Sequence, residues 1–198
     1  MLSKQEMIRQ IIHILVGLGV IVLFYFDILS SFAVFLLIII GIIASFICKR
    51  TNLPFFSFFL KHFEREDMKK NFPGRGLIYY FVGILLVMRL FEKDIALAAI
   101  MILSLGDSVS HIVGERFGQI KNIFNGKSKK LLEGTLVGTF AGFIGAVFFV
   151  PIPEAFIGSL IAMIAEVVEI DFNKNTLDDN LIVPLVAGTA MFLVRNFI

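Results

Sequence analysis

The chain has 198 residues, of which 58% are hydrophobic and 17% charged, and its formal net charge is +2. This composition excludes a water-soluble domain, which would need far more polar surface, and the single cysteine excludes an intramolecular disulfide and a CxxC metal site. Several apolar runs approach the ~20 residues that cross a ~30 Å hydrocarbon core. We therefore expect an integral membrane protein with one domain, residues 1–198.

Apolar segments in chain order predict an all-α fold, a polytopic membrane helix bundle with about seven transmembrane helices. The predicted spans are 8–26, 28–47, 76–91, 95–114, 135–150, 155–170 and 181–197. The stretch 48–75 is too charged to cross. Its phenylalanines recur at helical spacing after Pro54, opposite basic residues, which predicts an amphipathic helix in the membrane interface. An ordinary packed loop helix is the alternative.

The distribution of basic residues predicts the orientation of these spans. Most of the 18 lysines and arginines fall on the side that holds the N-terminus, and cytoplasmic loops are enriched in them. The opposite side keeps only Lys93 and Arg195, together with the acidic residues Asp27, Glu92, Asp94 and Glu154. We therefore expect a multi-pass membrane protein whose N-terminus lies in the cytoplasm.

The run 106–118 places Asp107 inside the fourth predicted span, about two-thirds of the way towards the cytoplasmic side. An ionisable group there costs at least ~2.5–3.5 kcal/mol on insertion scales, so it indicates a functional site that faces the bundle interior. Asp107 shares a helical face with three small or polar residues, Ser110, His111 and Gly114. The glycines of this run let a ligand approach closely, and helix–helix packing is the alternative reason for them.

A lysine-rich cytoplasmic loop follows, and Glu133 and Gly134 then lead into the fifth span. The loop contains Lys121, Lys127, Lys129 and Lys130. Lysines clustered in this way bind phosphate as point charges. A loop that only fixes topology or touches anionic lipid is the alternative.

Acidic residues near the C-terminus fall on the same predicted side of the membrane. Glu166 lies near the inner end of the sixth span, and Asp178, Asp179 and Asn180 precede the last one. One of these three residues could serve as a helix cap. Carboxylate and amide oxygens are also the ligands that Mg²⁺ prefers. With the lysines, they indicate a nucleoside triphosphate site that opens towards the cytoplasm.

The order of these motifs resembles the CTP-dependent lipid kinase family, which includes dolichol kinase, phytol kinase and the yeast-type CTP-dependent diacylglycerol kinase. The resemblance spans nearly the whole chain. It rests on Arg9, His13 and Gly17, the segment PGRGLIYYFVG, Gly106-Asp107 with Gly114 and Gly118, Lys130 with Glu133-Gly134-Thr135, Glu166, and Asp178-Asp179-Asn180-Leu181 with Pro184. The chain departs from the family pattern at Ser110, His111, Glu115 and Leu131.

The resemblance implies transfer of the γ-phosphate of CTP to the hydroxyl of a membrane lipid alcohol, of isoprenoid or polyprenol type or a diacylglycerol. Asp107 and Asp179 would be the principal Mg²⁺ ligands, supported by Glu166 and Asn180. The nucleotide and its phosphates would contact Gly114, Arg116, Gly118, Lys127, Lys130, Glu133 and Gly134. Asp107 or His111 would accept the hydroxyl proton. The expected partners are CTP, a lipid alcohol and the bilayer, without nucleic acid.

Two other functions fit parts of the pattern. A cytidylyltransferase that makes a CDP-lipid would use the same Mg²⁺, lysines and membrane-level entrance, and only the phosphorus attacked would differ. An ion-coupled transporter could use Asp107 to relay cations. A transporter should carry carboxylates mid-membrane on several helices, whereas here they gather near the cytoplasmic ends.

Overall fold

The structure, a computed structural model, describes residues 3–48, 73–121, 131–168, 171–172, 175–176 and 178–197. In these ranges the helices are α1 (Lys4–Tyr25), α2 (Ser31–Cys48), α3 (Arg75–Leu90), α4 (Lys93–Met101), α5 (Ser108–Phe117), α6 (Leu132–Ala146), α7 (Ile152–Val168) and α8 (Asp179–Phe197). A π-helical segment, Ile102–Asp107, joins α4 to α5, so one continuous helix runs from Lys93 to Phe117. A short antiparallel pair, β1 (Asp171–Phe172) and β2 (Asn175–Thr176), precedes α8.

The predicted all-α fold is confirmed, and each predicted span coincides with a helix. The largest differences are four residues, as at the end of the fifth span, which stops at 146 instead of 150. Among the described residues, four helices are long and apolar enough to cross a membrane: Lys4–Tyr25, Ser31–Cys48, Lys93–Phe117 and Asp179–Phe197. The number of seven crossings stays a prediction, and the predicted interfacial helix after Pro54 lies outside the described residues.

The continuous helix α4–α5 lies at the centre of the bundle. Ile95, Ile100 and Leu103 are fully buried, and helices α1, α3, α6 and α8 pack around the helix. Large apolar side chains on the outer helices, such as Leu15, Phe32 and Phe140, are exposed instead. Burial of the central helix and exposure of apolar side chains on its neighbours is the arrangement expected when lipid replaces water around the bundle.

A row of glycines on α6 allows close contact with the central helix. A Cβ atom added to Gly138 would lie 2.7 Å from the backbone oxygen of Gly106 and 2.7 Å from Cβ of Ser110. At Gly142 the same atom would lie 2.6 Å from Oγ of Ser159. Any side chain would therefore push the helices apart. This small-residue packing is common between membrane helices and fixes the position of the π-helical segment.

Arg195 of α8 gathers three carboxylates at the end of the bundle where α4 begins. Its guanidinium donates to Glu92 at 2.6 Å, to Asp94 at 2.7 Å and to Glu154 at 2.7 Å. Glu154 is buried, so its pairing with Arg195 removes the large cost of an isolated charge. The acidic residues that the sequence assigns to the outer side thus share one end with Arg195, while the orientation of that end stays a prediction.

Candidate active site

Asp107 is the last residue of the π-helical segment, and its burial in the centre of the bundle is confirmed at 5% exposure. A rise of 1.5 Å per residue places it about 20 Å along the helix from Lys93. Within the segment, the hydroxyl of Ser104 donates to the backbone oxygen of Ile100 at 2.7 Å, a bond that competes with the helical ladder. Single π-helical turns inside α-helices often coincide with functional sites.

Three side chains form the inner cluster: Asp107, His111 of α5 and Glu166 of α7. Their potential ligand atoms all lie within 4.8 Å of one another, and Nε2 of His111 is 3.7 Å from Oδ1 of Asp107. Glu166 is only 1% exposed. Two carboxylate charges at 4.8 Å repel by about 3.5 kcal/mol at an effective dielectric constant of about 20, so the inner cluster favours a nearby positive charge.

The donor set of the inner cluster fits a divalent cation. Two carboxylates and an imidazole suit Mn²⁺, and the carboxylates also suit Mg²⁺, which keeps several water ligands. Two of the residues that the sequence assigns to the metal, Asp107 and Glu166, thus lie together. His111, which the sequence considers only as a base, joins them.

The helical face that the sequence assigns to Asp107 and three neighbours is divided between two surroundings. Ser110 and Gly114 face α6, because a Cβ atom added to Gly134 would lie 2.6 Å from the backbone oxygen of Ser110 and 3.0 Å from Cα of Gly114. Asp107 and His111 meet Glu166 of α7 instead. Residues three apart on a helix differ by about 60° in direction, which is enough to separate these contacts.

The glycines assigned to phosphate binding have packing partners inside the protein. A Cβ atom added to Gly118 would lie 2.7 Å from Cβ of Leu131, and one added to Gly114 would lie 3.6 Å from Cα of Gly134. These contacts agree with the helix-packing alternative. Phosphate contact by Gly114, Gly118 and Gly134 stays a prediction.

Glu133 closes the base of the lysine-rich loop. Its carboxylate accepts the backbone N–H groups of Gln119 at 2.9 Å and Ile120 at 3.1 Å. A bridge between Lys121 and Leu131 joins the two ends of the loop beside these bonds. Glu133 therefore has a structural role, and its predicted contact with the nucleotide stays a prediction.

Of the three basic residues predicted to contact phosphate, the structure describes Arg116. Lys127 and Lys130 lie outside the described residues. Arg116 is exposed at the end of α5, and its guanidinium lies 5.3 Å from the ring centroid of Phe117, a cation–π distance. It is therefore accessible to a ligand on the same side of the bundle as the loop.

Asp178 and Asn180 form a cap at the start of α8. Oδ1 of Asp178 accepts the backbone N–H of Asn180 at 3.2 Å and its Nδ2 at 2.9 Å. Burial raises the pKa of Asp178, whereas the hydrogen bonds from Asn180 act to lower it. Among the described residues Asp179 is not part of the inner cluster. Metal binding by Asp179 and Asn180 thus stays a prediction.

Three residues that the sequence did not assign to the site lie where α1 meets its neighbours: His13 of α1, Tyr80 of α3 and Ser104 of the π-helical segment. Gly17 leaves room for Ser104, whose Oγ is 2.9 Å from the hydroxyl of Tyr80. The ring of His13 lies 4.3 Å from the ring of Tyr80, and His13 is within electrostatic range of Asp107. The only sequence signal for Tyr80 was its place in the segment PGRGLIYYFVG, and Ser104 gave none.

The chain is similar to several curated proteins. An uncharacterised protein of Methanocaldococcus jannaschii is 32% identical, over 93% of this chain and 91% of the relative. A probable chloroplastic phytol kinase of Triticum aestivum is 26% identical, over 98% and 69%. The CTP-dependent diacylglycerol kinase 1 of Saccharomyces cerevisiae is 23% identical, over 96% and 73%.

No protein-family model matches the chain, and no solved structure matches it. The relatives whose names state an activity nevertheless agree, since probable phytol kinases from several plants and CTP-dependent diacylglycerol kinases from two yeasts align with most of the chain. The chain belongs to the CTP-dependent lipid kinase family.

Proposed function

We propose that the protein transfers the γ-phosphate of CTP to the hydroxyl of a membrane lipid alcohol at the cytoplasmic face, with an isoprenoid alcohol as the favoured acceptor. The observation that carries this proposal is the inner cluster, in which two buried carboxylates, Asp107 of the central helix and Glu166 of α7, lie beside the half-buried His111. Carboxylates buried inside a membrane cost free energy, so they are expected to have a function. Relatives named as lipid kinases indicate that this function is phosphoryl transfer.

In this proposal Asp107 and Glu166 hold a divalent cation, which supplies neutralisation of the phosphate charge when bound. Burial of both carboxylates keeps competing water away and strengthens their interaction with positive charge. Arg116, Lys127 and Lys130 attract the triphosphate from the cytoplasmic side. Phosphoryl transfer depends mainly on positioning and on charge neutralisation, which these residues provide.

The acceptor hydroxyl loses its proton to the pair formed by Asp107 and His111, which are 3.7 Å apart. A bond forms between the acceptor oxygen and the γ-phosphorus, and the bond from that phosphorus to the bridging oxygen breaks. The products are the lipid monophosphate and CDP. Because the two groups interact closely, the proton belongs to the pair and is not assigned to either residue alone.

The deciding experiment offers purified protein γ-labelled CTP or ATP, Mg²⁺ and a panel of lipid alcohols that includes phytol, geranylgeraniol, a polyprenol and diacylglycerol. We expect label in a lipid monophosphate with CTP as donor. Label that appears in pyrophosphate with a lipid phosphate substrate would indicate a cytidylyltransferase. Asp107→Asn should abolish transfer while the protein remains folded and membrane-inserted, and near-normal turnover would contradict its role.

A further inference from the structure

A second group of ligand atoms lies beside the inner cluster and includes the same histidine. Glu6 of α1, His111 and Glu115 of α5 bring their potential ligand atoms within 4.8 Å of one another. Glu115 is exposed, His111 is half-buried, and the side chain of Glu6 is 13% exposed. This outer cluster is therefore open to solvent, whereas Asp107 and Glu166 of the inner cluster are buried.

Neighbours on α1 fix the position of Glu6 without using both of its oxygens. Nη2 of Arg9 donates to Oε1 of Glu6 at 2.5 Å, and Nε2 of Gln10 donates to the same oxygen at 3.0 Å. Both of these bonds go to Oε1, and Glu6 has a second carboxylate oxygen, Oε2, that can bind a ligand. Two carboxylates against the one charge of Arg9 leave the outer cluster with a net charge of −1 when His111 is neutral.

Gln10 supplies an independent sign that something polar binds here. The residue is 2% exposed, and its Oε1 is buried with no hydrogen-bond partner in the part of the chain that the structure describes. Because Nε2 of the same amide donates to Oε1 of Glu6, the side-chain amide of Gln10 lies beside the outer cluster. A buried amide oxygen without a partner calls for an ion or water that satisfies it.

We propose that Glu6, His111 and Glu115, with Oε1 of Gln10, form an outer binding site for a divalent cation. Two carboxylates, one amide oxygen and one imidazole nitrogen make a mixed oxygen and nitrogen set that suits Mn²⁺. A neutral imidazole offers one lone pair, so His111 binds one cation at a time. The outer site is open to solvent and shares His111 with the inner cluster.

The proposal of the outer site concerns cation binding only, so it does not depend on the proposed kinase activity. Its test uses Mn²⁺ and nucleotide-free full-length protein in detergent micelles. Free Mn²⁺ is counted by electron paramagnetic resonance, and coupling to an imidazole nitrogen is read from electron spin echo modulation. The Asp107→Asn background weakens the inner cluster, so that the outer site is observed by itself.

In that background we expect one bound Mn²⁺ per chain with imidazole nitrogen coupling. Adding Glu115→Gln should weaken binding by at least about tenfold, the scale on which a lost ligand or its support acts. The matched control Glu92→Gln changes an exposed glutamate at the opposite end and should leave binding unchanged. The Glu166→Gln background repeats the test if Asp107→Asn does not fold.

Two results would overturn the outer site. One is the absence of a bound Mn²⁺ with nitrogen coupling in both backgrounds. The other is equal affinity in the Glu115→Gln and Glu92→Gln variants. Either result leaves lipid phosphorylation by the wild-type protein untouched, so failure of the outer site is distinguishable from failure of the proposed function.

Discussion

Helix α7 carries two buried glutamates in opposite electrostatic surroundings. Glu154 is 5% exposed and accepts two hydrogen bonds from the guanidinium of Arg195. Glu166 is 1% exposed and lies within 4.8 Å of the ligand atoms of Asp107 and His111. Replacing each glutamate by glutamine removes one charge and keeps the size of the side chain. The two substitutions should therefore change the free energy of unfolding in opposite directions.

The magnitudes follow from these contacts. When both carboxylates are ionised, Glu166→Gln removes a repulsion from Asp107 that amounts to about 3.5 kcal/mol at an effective dielectric constant of about 20. We expect the metal-free protein to gain about 1–3 kcal/mol of stability, since relaxation of the wild-type pair lowers the repulsion. Glu154→Gln replaces charge-assisted bonds to Arg195 by weaker ones and should cost about 1.5–3 kcal/mol.

The assay is equilibrium unfolding in mixed detergent micelles near pH 8, first with a chelator and then with Mn²⁺. Wild-type protein and Glu154→Gln should gain stability when Mn²⁺ is added, because Mn²⁺ binds the folded state. Glu166→Gln should gain less, because only the proposed outer site still binds Mn²⁺, and it should lose lipid phosphorylation. The reasoning fails if Glu166→Gln is destabilised in chelator as Glu154→Gln is, or if Mn²⁺ stabilises both variants equally.

Three further predictions test the packing, the loop and the topology. Gly138→Ala should destabilise the protein by about 1–3 kcal/mol, because its Cβ atom would lie 2.7 Å from the backbone oxygen of Gly106. The control Gly19→Ala, which has nothing within 4 Å of its Cβ atom, should not destabilise it. Equal unfolding midpoints for the two variants would contradict this. Lys130→Ala should raise the apparent Kd for CTP, and an unchanged value would exclude a phosphate contact. A Gly126→Cys variant should react with an impermeant thiol reagent only from the cytoplasmic side, and labelling from outside would refute the topology.

The positions of the helices could be predicted from the sequence because each apolar segment is long and is bounded by charged or turn-forming residues. The π-helical segment could not. It makes contacts that the local sequence does not show, among them the hydrogen bond that the hydroxyl of Tyr80 donates to Ser104 and the approach of Gly138 to Gly106. These contacts join helices that are distant in the sequence, so periodicity alone carries no sign of them.

The candidate site was predicted in part, for a related reason. An aspartate inside a membrane span costs free energy whatever its partners are, so the sequence alone identified Asp107 as a candidate site residue. An acidic residue followed by Asn before a helix looks the same whether it caps the helix or binds a metal. In the structure Asp178 and Asn180 bind each other as a cap. The sequence also assigned Glu166 to the metal, and the packing of α7 against the central helix brings it beside Asp107, whereas metal binding by Asp179 stays a prediction.

The two ends of the bundle indicate why the inner cluster is functional and not merely structural. At the Arg195 end, each of three carboxylates is bound by the guanidinium, so the charges stabilise the fold without any ligand. At the other end, the buried side chains of Asp107 and Glu166 lie within 4.8 Å of each other and of His111. Buried carboxylates brought together in this way are typical of functional sites, and a cation with its phosphate ligand would offset their charge.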